Sequence, residues 1–357
     1  MTPLAEILAA RIQTDGPMSL SDYMAACLLH PQHGYYATRD PLGRAGDFTT
    51  APEISQMFGE MLGLCLAQTW MDQGRPDPFL LAEVGPGRGT LMADILRATR
   101  AVPEMAQAAR VHLVEASPVL RARQRERLGA GVTWHDTTET LPDGSLFLVA
   151  NEFFDALPIR QFVRAGAGWR ERQVGLSGDA LTFGLGPESR FPMLADRLDD
   201  TAEGEVVELC PAAAPIAADI AGRIARFGGA ALVIDYGGWH SLGDTFQAVK
   251  GHRPVDPLDA PGEADLTAHV DFEALAQAMR GAGAAVSGMT TQGVFLERLG
   301  ITARAQALAR AMQEPALGLH IAAHRRLTHP KEMGEVFKVI ACHPPGTPAL
   351  AGLDPAS

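Results

Sequence analysis

The stretch from Leu80 to Leu91, LLAEVGPGRGTL, constrains the fold more than any other part of the chain. An apolar run ends in the acid Glu83, passes through glycines at the alternate positions Gly85, Gly87 and Gly89, and enters the amphipathic segment TLMADILRAT. The hydrophobic pattern changes there from that of a buried strand to that of a helix, so the segment reads strand, tight turn, helix. Glycine tolerates positive φ in such a turn. Its missing side chain also lets a ligand settle on the backbone at the N-terminus of the next helix, where unpaired N–H groups point. This is the layout of a nucleotide site in an α/β fold.

The spacing narrows the ligand. A dinucleotide fingerprint requires G-x-G-x-x-G, and its last glycine would fall on Thr90, whereas E-x-G-x-G-x-G is the form associated with S-adenosylmethionine (AdoMet) methyltransferases. Glu83, Gly85, Gly87 and Gly89 are therefore candidate cofactor residues, against the plainer alternative of a structural glycine turn. A second strand, ARVHLVEAS, ends in Glu115, 26 residues beyond Gly89, near the place where α/β nucleotide folds put an acid for ribose hydroxyls. The short strand VTWHD brings His135 and Asp136 to the same edge. Asp136 is a candidate adenine contact; His135 reads as a satisfied surface histidine.

SLFLVANEFFDALPI is an apolar strand running straight into Asn151, Glu152 and Asp155. Buried parallel strands that end in polar clusters carry the chemistry of this architecture, and Asn151 is the sole asparagine of the chain. Asn151 is assigned to the cofactor's methionine portion or to orienting the acceptor, and Glu152 and Asp155 to the acceptor itself. GGAALVIDYGG gives a fifth core strand ending in Asp235 and Tyr236.

Around this core the 357 residues divide into three expected parts. A helical extension with an active-site loop covers 1–75, a methyltransferase domain covers 76–343 with a β-hairpin insertion at about 160–210, and a loose tail covers 344–357. Helices are expected at 2–13 and 21–29, the second opened by Ser19 with Asp22 three residues on. Pro52 is expected in the first turn of one long helix whose Ile54, Met57, Phe58, Met61 and Cys65 form a core stripe. The preceding loop, GDFTTAPE, is expected to close over the site, with Phe48 as an apolar lid and Glu53 near the cofactor's amino group. The long polar stretch between Trp239 and Asp265 reads as a substrate-contacting loop.

The charge balance argues against two partner classes. A net charge of −12 disfavours nucleic acid and anionic membranes as main partners. No apolar run approaches the roughly 18 residues of a membrane span. The four cysteines, Cys27, Cys65, Cys210 and Cys342, show neither a disulfide framework nor metal-ligand spacing, so no metal site and a reducing, cytoplasmic setting are expected.

The blocks GDFTTAPEISQMFGE, LAEVGPGRGTLMADILRA, LVEASPVLRARQ, NEFFDALPIRQF, VIDYGG, DLTAHVDF, QGVFLERLGI and MGEVFKVIA, in this order between residues 17 and 343, resemble the MidA-like, DUF185 methyltransferases. The mitochondrial members of that family are complex I assembly factors. The resemblance implies a class I AdoMet methyltransferase fold, a Rossmann-like sheet with helices on both faces. It further implies AdoMet as cofactor and methylation of an arginine on a protein substrate, a respiratory complex I subunit in the mitochondrial members. No transit-peptide-like stretch precedes the first block, so a bacterial member is expected, and its substrate stays open. A small-molecule methyltransferase and a catalytically silent AdoMet-binding assembly factor share the same motifs. Carboxylates suit an arginine acceptor because they hold the guanidinium in a bidentate fork, draw its charge away from the attacking nitrogen and accept the released proton.

Overall fold

The strand that leads into the glycine turn is β1 (Phe79–Val84), buried along its whole length. With β2 (Ala109–Val114), β3 (Val132–His135), β4 (Leu146–Asn151), β5 (Gly229–Gly238), β6 (Ala285–Val286) and β7 (Phe337–His343) it forms a sheet of order β3-β2-β1-β4-β5-β7-β6. Strands β1 to β5 run parallel, and β7 is antiparallel to both β5 and β6. β1 and β4 are apolar almost throughout because helices cover both faces of a parallel sheet. Val84 lies opposite Ala150 in the β1–β4 register, so the turn at 85–89 and the polar end of β4 emerge side by side. The strand order reverses between these two strands, and open parallel sheets bind ligands at the carboxyl ends of such a pair. This is the class I methyltransferase sheet expected from the sequence.

The structure, a computed structural model, describes residues 2–38 and 49–355. Two compact units divide the chain: Thr49–Phe154, Ala214–Trp239 and Phe272–Ser357 form the sheet unit, and Met1–Phe48, Asp155–Ala213 and His240–Asp271 form the other. These lines differ from the sequence-based ones for reasons of packing. Segment 49–75 goes with the sheet because its helix feeds Met57, Phe58, Met61, Cys65 and Trp70 into the apolar cluster of Leu81, Phe147 and Leu232. Segment 240–271 goes with the second unit because Ala248 and Leu266 share a core with Leu4, Tyr23 and Leu28.

In the sheet unit, the expected single helix from Pro52 is two. α1 (Ala51–Ile54) stops at Ser55, whose extended backbone (φ −159°, ψ 137°) breaks the helix and whose hydroxyl caps α2 (Gln56–Asp72) by accepting from Met57 N. α2 lies against α3 (Thr90–Thr99), the helix after the glycine turn. A Cβ on Gly59 would sit 2.5 Å from Asp94 Cβ, so only glycine permits that approach. Glu60, buried on α2, is neutralised by Arg97 at 3.3 Å and Arg304 at 2.8 Å. The tail, expected to be loose, is docked through its described residues. Leu350 and Leu353 enter the same core, and Asp354 pairs with Arg298 at 2.8 Å.

In the second unit, helices Pro3–Asp15 and Leu20–Leu29 are present, and Ser19 caps the latter from Asp22 N at 3.0 Å. The expected hairpins form strands Arg160–Ala165, Gly168–Ser177 and Ala180–Ser189, joined by Val206–Leu209 and by Met18–Ser19. The stretch read as a polar loop carries a three-stranded sheet of Gln247–Lys250, Arg253–Val255 and Asp265–Thr267. Its apolar residues are too few and too spaced by Gly and Pro for a strand pattern to show in the sequence.

Candidate active site

The turn after β1 is built on positive φ at all three glycines: 65° at Gly85, 52° at Gly87 and 74° at Gly89, which caps α3. Its ends are tied by Gly85 N to Val114 O (3.0 Å) and Gly89 N to Pro86 O (2.7 Å). Thr90, the residue that breaks the dinucleotide pattern, donates its hydroxyl to Glu53 Oε1. Glu53 is thus held against the start of α3. Phe48, the expected lid, lies outside the described residues.

Glu83 is the penultimate residue of β1 and is 3% exposed. Its Oε2 is buried without a hydrogen-bond partner among the described residues. Burial pushes its carboxyl up to about 8, opposed by a hydrogen bond from the Met92 backbone and reinforced by the charge of Glu115. Asn151, the last residue of β4, shares this condition. Its Nδ2 donates to Glu152 Oε1 at 3.0 Å while its Oδ1 is buried with no donor among the described residues. Two buried oxygens with no donor among the described residues, at the carboxyl ends of the two switch-point strands, suit a ligand that donates.

Glu115 follows β2. Its Oε1 accepts from Ser117 N (2.7 Å) and its Oε2 from the Gln124 side chain (3.2 Å). Burial raises its pKa, while those two donors and Arg121 pull it back. Asp136 lies at the tip of β3 with its side chain 81% exposed, engaged by Arg121 at 2.6 Å. His135 is satisfied, as its plainer reading had it: Nε2 meets His112 Nδ1 at 2.8 Å and Nδ1 meets Thr140 Oγ1 at 3.0 Å.

Beyond Asn151 the chain turns sharply. Glu152 has φ +52°, uncommon for a residue with a side chain, and its Oε1 accepts from Ala51 N at 2.9 Å as well as from Asn151. The next two N–H groups, of Phe153 and Phe154, both donate to Asp235 Oδ2 at 3.1 and 2.9 Å. Asp155 belongs to the second unit. It is 6% exposed, its carbonyl accepts from Ala268 N at 3.0 Å, and its charge acts on Tyr36, whose hydroxyl donates to Asp265 Oδ1 at 2.7 Å. Burial, then Asp265 and Asp155, hold the Tyr36 phenol well above its ordinary range. Tyr36 beside these acids carries no local signal, since the three residues come from distant segments.

Comparison with known proteins agrees with this geometry. Residues 61–290 match the family described as S-adenosyl-L-methionine-dependent methyltransferases. The chain belongs to that family. The protein arginine methyltransferase NDUFAF7 of Homo sapiens mitochondria is 37% identical over 373 residues, covering 96% of this chain and 84% of the relative. Its homolog in Drosophila melanogaster is 35% identical, covering 96% and 85%. A Burkholderia thailandensis structure with S-adenosyl-homocysteine bound superposes with a TM-score of 0.85 at 34% identity, covering 98% of this chain and 94% of that one.

This member of the family is an enzyme of methyl transfer, with AdoMet as cofactor. The residues present fit that group. The methionine end of AdoMet carries an ammonium that donates hydrogen bonds, which suits the buried oxygens of Glu83 and Asn151 that lack a donor among the described residues, and its ribose diol suits a half-buried carboxylate such as Glu115. AdoMet supplies the electrophilic methyl, so the protein's task is to align the acceptor and manage its charge and proton. No group of three or more metal-ligating side chains occurs among the described residues. No helix among them is long and apolar enough to cross a membrane.

Proposed function

We propose that this protein transfers methyl groups to an arginine side chain of a protein substrate, a respiratory complex I subunit being the first candidate. The observation that carries the arginine reading is near-full-length similarity to relatives named protein arginine methyltransferases, at 35–38% identity over 93–96% of this chain. The site chemistry supports it. A guanidinium is cationic throughout the physiological range and needs anions to bind it and to take its proton. The turn after β4 supplies Glu152, and Asp155 follows three residues later.

In this reading Glu83, the glycine turn and Asn151 hold the methionine end of the cofactor, Glu115 holds the ribose, and Asp136 lies toward the adenine. Glu152 is kept in place by Ala51 N and Asn151 Nδ2, both of which donate to the same oxygen. Glu152 and Asp155 orient the guanidinium and accept the proton that leaves as the methyl arrives.

The test is incubation with methyl-labelled AdoMet and either purified complex I subunits or a cell lysate, followed by mass mapping of the labelled peptide. Label on an arginine supports the proposal. Label confined to small molecules, or to other residue types, overturns it.

A further inference from the structure

One side chain holds together the two halves of the cofactor region without being expected there. Helix α4 (Pro118–Leu128) is almost wholly polar, and only Leu120 and Gln124 are buried on it. Gln124 is 0% exposed at a position that helical spacing from Leu120 assigns to an apolar side chain. Every polar atom of its amide is used. Nε2 donates to Gly87 O at 2.7 Å and to Glu115 Oε2 at 3.2 Å, and Oε1 accepts from Trp134 Nε1 at 2.8 Å. The orientation of the amide follows from its partners, because a carbonyl can only accept and an indole N–H can only donate.

We infer that Gln124 is a positioning residue for AdoMet, which fixes the glycine turn relative to the Glu115 carboxylate by donating to both. A leucine would fill the same space at no cost in desolvation, whereas a buried amide is tolerated only when its bonds are made. Here the bonds go to the middle glycine of the turn and to the acid that follows β2. Ser117 N fixes the other carboxylate oxygen at 2.7 Å. Each oxygen of Glu115 is thus oriented before the ligand arrives, with acceptor capacity left for a ribose hydroxyl. The ionic form matters because an ionised carboxylate accepts from both hydroxyls, while a protonated one cannot. Burial favours the protonated form, and the Gln124 amide, with Ser117 N and Arg121, opposes it.

The inference rests on the assignment of Glu115 to the ribose, and the experiment separates the two. S-adenosyl-homocysteine affinity is measured by calorimetry from pH 6 to pH 9 for the wild type, Glu115→Ala, Gln124→Met and Gln124→Glu. Gln124→Met keeps the volume and loses all three bonds. It should bind about tenfold more weakly at pH 7. Its deficit should shrink as pH rises, because losing the Gln124 donor shifts Glu115 ionisation upward. Gln124→Glu should show the opposite trend. Protonated, the new side chain can still donate to Gly87 O; ionised, it repels both that carbonyl and Glu115, so its deficit should grow with pH.

A loosened turn of purely structural origin would give deficits that do not change with pH. That outcome, or wild-type affinity in either Gln124 variant, overturns the inference. Unchanged affinity in Glu115→Ala would instead remove Glu115 from the ribose and take the inference with it. If Gln124→Met loses its thermal transition, Gln124→Glu, whose protonated form keeps the donation to Gly87 O and gives up the one to Glu115, decides through its own pH trend.

Discussion

Glu83→Gln offers a stringent test of the cofactor site because the perturbation is large and its pH dependence has a fixed sign. The carboxyl titrates at its ordinary value of 4.5 when exposed in the unfolded chain and at about 8 in the folded protein. Below 4.5 both states carry the proton and Glu83 exacts nothing. Between 4.5 and 8 the folded state retains a proton that the unfolded state has lost, so stability falls as pH rises, by about 1.4 kcal/mol per unit. The accumulated loss reaches about 5 kcal/mol and levels off above pH 8. Glutamine is neutral at every pH and removes this slope.

The stability of Glu83→Gln relative to wild type should therefore climb steadily from pH 5 to pH 8 and then flatten, read as the difference between urea midpoints or melting temperatures. A difference that stays constant over that interval would show that Glu83 is not a buried, proton-retaining acid, and the reasoning would fail. The same group predicts a proton count on binding. A cationic amino group beside Glu83 favours its ionised form, so AdoMet binding to the wild type at pH 7 should release close to one proton, visible as a calorimetric heat that varies with buffer ionisation enthalpy. Glu83→Gln should release none.

Other expectations follow from the same site. Glu115→Ala should weaken AdoMet by about 12- to 150-fold, the value of roughly 1.5–3 kcal/mol for lost charge-assisted hydrogen bonds, as measured by titration calorimetry. Gly87→Val should lose cofactor binding while keeping a thermal transition, since φ at this position is +52° and a branched side chain would occupy ligand space; loss of the transition itself would make Gly87 structural. Glu152→Gln preserves an acceptor for Ala51 N and Asn151 Nδ2 and removes only the charge. Together with Asp155→Asn it should leave AdoMet affinity nearly intact while lowering turnover on an arginine substrate by about two to four orders of magnitude. Turnover at the parent rate in both would withdraw these acids from the chemistry. Leu353→Ala, in the docked tail, should cost about 2 kcal/mol of stability in a urea titration without changing cofactor affinity.

Much of the fold was legible in the sequence because it is written in local signals. The strand, glycine turn and helix at 79–99 and the parallel strands at 109–114 and 146–151 declare themselves by periodicity and by the change of period at the turn. What was not legible depended on non-local partners. Ser55 could not be seen to split a helix, because its neighbours on either side share one apolar stripe. The tail looked loose because its apolar residues, Leu350 and Leu353, are isolated in sequence and find their core only across the fold. Gln124 did leave a trace, a polar residue three positions past Arg121 on the stripe of Leu120 and Leu128, but its partners Gly87, Glu115 and Trp134 come from three other elements.

The acids show most clearly where residue type stops being informative. Glu83, Asp235 and Glu152 all lie at or near the carboxyl ends of central strands, and residue type alone does not separate them. Asp235 is 0% exposed, yet its Oδ2 accepts from Phe153 and Phe154 and its Oδ1 from Tyr236 N at 3.0 Å. Three backbone donors converge on it, and those bonds hold the turn in which Glu152 adopts a left-handed conformation that costs about 1 to 2 kcal/mol on its own. Asp235 therefore shapes the turn. Glu83 is as deeply buried but keeps one oxygen with no donor among the described residues, as does Asn151 at the end of the neighbouring strand. The difference between an acid that builds the site and one that awaits a ligand lies in the count of donors around each oxygen. That count is set by which backbone N–H groups the fold turns inward, and only the three-dimensional arrangement of β1, β4 and β5 discloses it.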